Sequence, residues 1–280
     1  MTFLRVVANK REKTSISRHR QQKLSGSTLQ EDLNFPHCVG ALDGKHINIK
    51  PPPNCGSEYY NYKGFSSIVL LALVDTDYKF IMVDIGCNGR MSDGGVFNSS
   101  AFKLALETNA LHLPEPKVVP GIEYRVPYVV LADDAFPLSK SLMKPYPFRN
   151  LDVGERIFNY RLSRARRTVE NAFGILANRF RVFLTPIAVT PDKVEKIVLG
   201  ACTLHNYLRA SQAHSMSGEV DVEDDDHNVI PGSWRDQQTL TGLPSTHARN
   251  ASQGAKALRD SLKTYFLSEA GQVSWQMNMV

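Results

Sequence analysis

At 280 residues, 42% hydrophobic and 22% charged, the chain is long enough to bury a core without staples, and four scattered cysteines (Cys38, Cys55, Cys87, Cys202) with no CxxC pair exclude a disulfide scaffold. Eight histidines without zinc-finger spacing make no case for zinc, and the longest purely apolar run, 68–74, falls far below the roughly 20 residues of a membrane span. The net charge of +5 permits a polyanionic partner without requiring one, so the position of the charge matters more than its sum.

The chain opens on a basic arm, with Arg5, Lys10, Arg11, Lys13, Arg18, Arg20 and Lys23 set against Glu12. Residues 1–34 have little apolar periodicity and read as an arm outside the core, the remnant of a truncated helical region. No secretory pattern is present, so no membrane partner and a reducing compartment are expected. Apolar runs at 39–42 and 47–49 predict strand, interrupted near Asp43-Gly44, a pair that favours a turn. Residues 66–74 predict a buried strand, Asp75-Thr76-Asp77 a turn, and 80–85 the returning strand. A helix is expected over 96–109, a short strand over 128–132 and a long helix over 153–180. Around that helix lies a second basic block, Arg156, Arg161, Arg164, Arg166, Arg167, Arg179 and Arg181, with Glu170 as its lone acid.

Residues 211–252 are rich in Ser, Gly, Thr, Gln and Asp and carry Glu219, Asp221, Glu223, Asp224, Asp225 and Asp226. That composition predicts a disordered acidic linker. Helical periodicity resumes at 253–266 through Ala257, Leu258, Leu262, Tyr265 and Phe266, ahead of a tail ending at 280. Antiparallel strands first, then alternating strand and helix, predict an α/β domain over 35–210: a mixed sheet flanked by helices.

Asp43 follows one apolar run and Asp133 follows another, so both are expected to project from the rim of the sheet. On a wheel of about 100° per residue, Phe158, Leu162, Ala165, Val169, Phe173, Leu176 and Phe180 form one apolar stripe. Glu170 sits at its edge beside Ser163, Arg166, Gly174 and Ala177, where small residues leave room for a ligand. Carboxylates converging from separate elements suit hard divalent cations and phosphodiester chemistry. Taken alone, Asp43 also suits a hydrogen-bonded corner. Asp75 and Asp77 read as turn residues, Asp84 as part of a half-exposed strand, and His205 as a core residue among Leu199, Leu204 and Leu208. His46 follows Asp43 closely and is given no catalytic role.

The segments GALDGKHI (40–47), EYYNYKGFSSIVLLALVDTDYKF (58–80), GRMSDGGVF (89–97), VLADDAFPL (130–138), RTVENAFGILANRFRVF (167–183) and LGACTLHNYL (199–208) resemble, in this order, the PIF/Harbinger transposases and the nuclease family derived from them. The resemblance covers about 35–209 and implies an RNase H-like DDE fold. It further implies a metal-dependent DNA endonuclease, transposase or domesticated derivative that uses two divalent cations, Mg2+ or Mn2+. Carried over by position, Asp43, Asp133 and Glu170 are its catalytic acids, and the same three with Asp93 its metal ligands. The setting Ser92-Asp93-Gly94-Gly95 suits an Asx turn equally well. Lys45 stands where the family usually has threonine, and Asp134-Ala135-Phe136 where it has Ser-Ala-Tyr.

With a DNA substrate, Arg164, Arg167, Arg179 and Arg181 are expected to contact phosphates, and Arg166 to contact a phosphate or hold a carboxylate. The family reading adds a separate Myb-like DNA-binding protein as partner and work in the nucleus, with the cytoplasm as a second compartment; an oligomer stays open. Two other classes compete with it. One is a captured transposase that binds DNA or a protein without cutting. The other is hydrolysis of a non-nucleic phosphoester, which has only the carboxylates in its favour.

Overall fold

A computed structural model describes residues 5–7, 34–91, 93–111, 113–211, 218–237, 240–243 and 251–280. Most of the basic arm lies outside the described residues, as does the Asp93 side chain. The strands are β1 (Arg5–Val7), β2 (Cys38–Asn48), β3 (Ser67–Val74), β4 (Phe80–Asn88), β5 (Lys117–Val118), β6 (Arg125–Val126), β7 (Val129–Leu131), β8 (Leu142–Met143), β9 (Val222–Glu223), β10 (Val229–Ile230) and β11 (Thr241–Gly242). The α-helices are α1 (Asp93–Ser99), α2 (Ala101–Glu107), α3 (Val153–Arg179), α4 (Pro191–Ser211) and α5 (Gln253–Leu267).

The main sheet runs β1-β4-β3-β2-β7-β8, with β11 added to β2. Strands β2, β3 and β4 pair antiparallel, whereas β7 and β8 continue the sheet in parallel, so the sheet is mixed as expected. Every residue of β3 is buried, as a strand covered on both faces requires. Ile68, Leu70, Ala72 and Val74 join Val169, Phe173 and Leu176 of α3 and Val194 and Val198 of α4. Val69, Leu71 and Leu73 join Val96, Phe97, Phe102 and Phe136 on the opposite face. The first half of α3 packs through Phe158, Leu162 and Ala165 on Leu258, Leu262 and Phe266 of α5. Asn206 fastens α4 to the sheet, its amide oxygen accepting from the Phe80 amide and its amide nitrogen donating to the Phe80 carbonyl, both at 2.8 Å.

The long helix has a capping box in which Asp152 accepts from the Glu155 amide and Glu155 accepts from the Asp152 amide. Three local expectations change. The strand predicted to break at Asp43-Gly44 is continuous from Cys38 to Asn48, because β3 pairs its backbone straight through both residues. The helix expected over 96–109 is two helices, since the Ser100 hydroxyl caps the second by accepting from the Lys103 amide at 3.1 Å. Asp84 is buried rather than half exposed, accepting from the Ala101 amide at 2.8 Å. Among the described residues no helix is long and apolar enough to cross a membrane.

Candidate active site

Alternation along β2 sends Ala41 and Ile47 into the core beneath α3, with Ile49 just past the strand, so Asp43 and Lys45 face the same way. Asp43 therefore sits mid-strand, opposite Ala72, and not at the rim. The Lys45 ammonium lies 2.8 Å from its carboxylate, the Arg166 guanidinium 3.9 Å, and the Gly44 amide donates to it at 2.9 Å. Burial pushes the Asp43 carboxyl upward, but Lys45, Arg166 and these hydrogen bonds outweigh it and hold the group below the usual carboxylate range. Asp133 stands two residues beyond the end of β7 and accepts from the Ala135 amide at 3.0 Å. Burial raises its carboxyl, the charge of Asp43 adds to the rise, and Arg166 opposes both.

Glu170 lies one helical turn beyond Arg166, on the edge of the apolar stripe. Its side chain is 35% exposed, and the Arg235 guanidinium stands 4.0 Å away. Lys45 feels both Asp43 and Glu170, while Asp43 and Asp133 both feel the charge of Arg166. The two cations thus link acids carried by β2, by the loop after β7 and by α3. A cavity of about 260 Å³ opens beside Glu170, walled by Lys45, Lys63, Phe173, Trp234 and Arg235. His46 is buried and bonds the Ser67 hydroxyl at 2.8 Å; burial, helped by Lys63, lowers its pKa to about 4. His205 is fully buried and its ring donates to the Tyr78 carbonyl at 2.7 Å.

The stretch whose composition predicts a disordered linker is packed over its described residues 218–237. Glu223 pairs with Arg164 at 2.8 Å and also with Arg167, and Glu219 pairs with Arg179 at 3.4 Å. Asp221 pairs with Arg235 at 2.5 Å. Of the four arginines assigned to DNA, Arg181 stays exposed, at the start of a 3-10 turn, and the other three meet these carboxylates. The space that small residues leave beside Glu170 is partly filled: Trp234 lies so close to Gly174 that a Cβ there would stand 2.2 Å from its ring. Composition hid these contacts because it averages over the window, yet Trp234 within a polar stretch and acids at 219, 221 and 223 facing an arginine-rich helix were visible signals.

The sequence pattern of the family described as "DDE superfamily endonuclease" matches residues 42–206, more than half of the chain. The chain belongs to the DDE superfamily endonucleases. "Protein ALP1-like" of Arabidopsis thaliana is 27% identical to it over 245 residues, covering 84% of this chain and 55% of that protein. "Putative nuclease HARBI1" of Rattus norvegicus is 27% identical over 179 residues, and the Homo sapiens protein of the same name 26% over 175 residues; each alignment covers 61% of this chain and 46% of the relative. The chain spans about half the length of the curated relatives it matches. No solved structure matches it.

In this member of the DDE superfamily the sheet order and flanking helices form an RNase H-like fold. Its carboxylate oxygens, drawn from three elements, suit a hard divalent cation in kind. Their arrangement is not a closed cage: among the described residues no three His, Cys, Asp or Glu side chains gather closely enough to hold a metal ion. Lys45 and Arg166 supply positive charge beside Asp43. Asp93 starts α1, and its side chain lies outside the described residues.

Proposed function

We propose that the chain is a metal-dependent DNA endonuclease of the Harbinger-transposase kind that hydrolyses phosphodiester bonds. The observation that carries this reading is the shared electrostatic neighbourhood of Asp43, Asp133 and Glu170 in a DDE endonuclease fold. These three, with Asp93, are the acids that would hold divalent cations, Mg2+ or Mn2+, which when bound would activate water and offset the phosphodiester charge. Since no three of the described acids gather around one point here, holding an ion would need them to draw together. The protein's own contributions are positional. Asp43 stays ionised because Lys45 and Arg166 face it, whereas Asp133, raised by burial and by the charge of Asp43 and opposed mainly by Arg166, holds a proton more readily. Lys45, Lys63 and Arg235 line the cavity where a backbone phosphate would lie next to Glu170. Arg181, with Arg164, Arg167 and Arg179, extends the cationic track along and beyond α3. The family likeness supports a separate Myb-like DNA-binding partner and work in the nucleus.

Nicking of supercoiled plasmid in Mg2+ or Mn2+ tests the reading. Asp133→Asn and Glu170→Gln are each expected to slow it by about 100-fold or more. Full activity in both variants would overturn the assignment. The competing reading, a chain that binds DNA without cutting, has one observation behind it: Asp43 is already taken by two cations. Duplex binding with no metal-stimulated nicking would favour it.

A further inference from the structure

The acidic segment is anchored to α3 at Asn171. The Asn171 side chain donates to the Asp221 carbonyl at 3.2 Å and accepts from the Asp221 amide at 2.9 Å, pairing one helix residue with the strap's backbone in both directions. The same Asn171 oxygen accepts from the Trp234 indole at 2.9 Å, and the Trp234 ring fills the notch at Gly174. Asp221 closes the segment on itself by accepting from the Gly232 amide at 2.8 Å and from Arg235. From the other side His227 stacks on Trp275, centroids 3.9 Å apart, and the Arg164 guanidinium lies 5.1 Å from that ring. Beyond the segment, β11 pairs with β2 at Lys45 and His46, alongside Asp43. The segment thus covers the arginine face of α3, and the chain beyond it, at β11, pairs with the strand bearing the first acid.

Its carboxylates meet cations a nucleic acid would need. Glu223 accepts from the Arg164 Nε through both oxygens, at 2.8 and 3.0 Å, and pairs with Arg167 as well. Glu219 takes Arg179 and Asp221 takes Arg235. A carboxylate and a phosphate present guanidinium with the same pair of anionic acceptors, so both cannot hold these arginines at once. Glu223 is held as an anion strongly: despite burial, the two arginines lower its pKa to about 2.

Resting on the reading of the chain as a DNA-directed protein, we propose that the 219–235 strap is an intramolecular occupant of the DNA-backbone surface on α3, which a duplex must displace to seat on Arg164, Arg167 and Arg179. Its anchor (Asn171, Trp234, Gly174) is separate from its charged contacts, so the charges can be removed while the anchor stays. In EDTA, where cleavage is off, Glu219→Gln/Glu223→Gln is expected to bind a duplex of about 30 base pairs at least about tenfold more tightly at about 0.15 M salt. Its log affinity should fall more steeply with log salt, by about 2 to 3 in slope, one unit per arginine freed. Adding Arg164→Gln and Arg167→Gln should cancel most of the gain.

Asp225→Asn/Asp226→Asn changes net charge equally at exposed positions and is expected to leave affinity unchanged; an equal gain there would overturn the proposal, as would an unchanged or weaker duplex affinity in the Glu219/Glu223 variant. Should that variant fail to fold by circular dichroism, Glu219→Gln alone alters a half-exposed contact; a gain of about twofold is expected, and none would overturn the proposal. The two readings separate cleanly. Wild-type nicking with no gain in the strap variant defeats the strap alone, and tighter binding without nicking defeats the nuclease alone.

Discussion

Two charge systems lie side by side along α3, and they are mirror images. In the first, carboxylates from the sheet, Asp43 and Asp133, are answered by the cations Lys45 and Arg166. In the second, arginines of the helix are answered by carboxylates of the strap. The partners differ in where they come from. Lys45 sits two residues from Asp43 on the same strand, and Arg166 projects from a helix packed through the core, so the first system cannot come apart while the fold stands. The strap arrives from a segment some 40 to 60 residues further along the chain, and its ion pairs with the helix arginines are only part-buried. Charge neutralisation that is integral to the fold keeps a site assembled; neutralisation brought in by a separate segment can be exchanged.

Breaking the first system should have the largest effect. Lys45→Met leaves the buried Asp43 with only the more distant Arg166, and the expected loss is about 3 kcal/mol in urea unfolding. A loss under about 1 kcal/mol would show that the pair is dispensable. Gly174→Ala acts on the second system by driving a methyl into the Trp234 ring. It should cost about 1 to 3 kcal/mol or expel the strap, with faster proteolytic clipping within 218–237 as the readout.

A pH titration sharpens the contrast further. Glu223 is depressed from an ordinary 4.5 to about 2 in the folded chain, so its contribution is complete above about pH 4.5 and is lost as pH falls toward about 2. Tryptophan fluorescence should report Trp234 and Trp275 loosening over that window in the wild type and not in Glu223→Gln. The smallest effect belongs to Asp84, outside both systems. Burial raises its carboxyl from 3.8 to about 6, opposed by the Ala101 amide, so the stability it contributes is present below about pH 3.8 and lost as pH rises through about 6. Asp84→Asn should flatten that decline and be more stable than the wild type at pH 8, by about 1 kcal/mol in thermal or urea unfolding.

Much of this was legible residue by residue. The 153–180 periodicity matches α3 closely, and the wheel that put Glu170 at the edge of the apolar stripe agrees with its partial exposure. Turn chemistry misled at Asp43-Gly44, because local preference gives way when a neighbouring strand pairs the backbone on both sides of the dipeptide. The strap was only hinted at, by Trp234 and the acids at 219, 221 and 223, for a related reason. Its polar residues have too little apolar surface to fold alone, and its order depends on arginines and a glycine notch from elsewhere in the chain.

Gly40 has a consequence for which way the first acid points. Cys38 and Ala41 both face the α3 side of the sheet although they stand three positions apart, and Val39 and Leu42 both face the other side. Strict alternation forbids that, and the register shift between Cys38 and Gly40 against β7 absorbs the extra residue. Gly40 holds a φ of 150° there, and a Cβ on it would stand 2.4 Å from the Val74 carbonyl oxygen. The irregularity works as a parity switch: it hands every odd-numbered residue from Ala41 onward to the helix side. The facing of Asp43 is thus decided three residues upstream, at a position where a side chain would clash with the neighbouring strand.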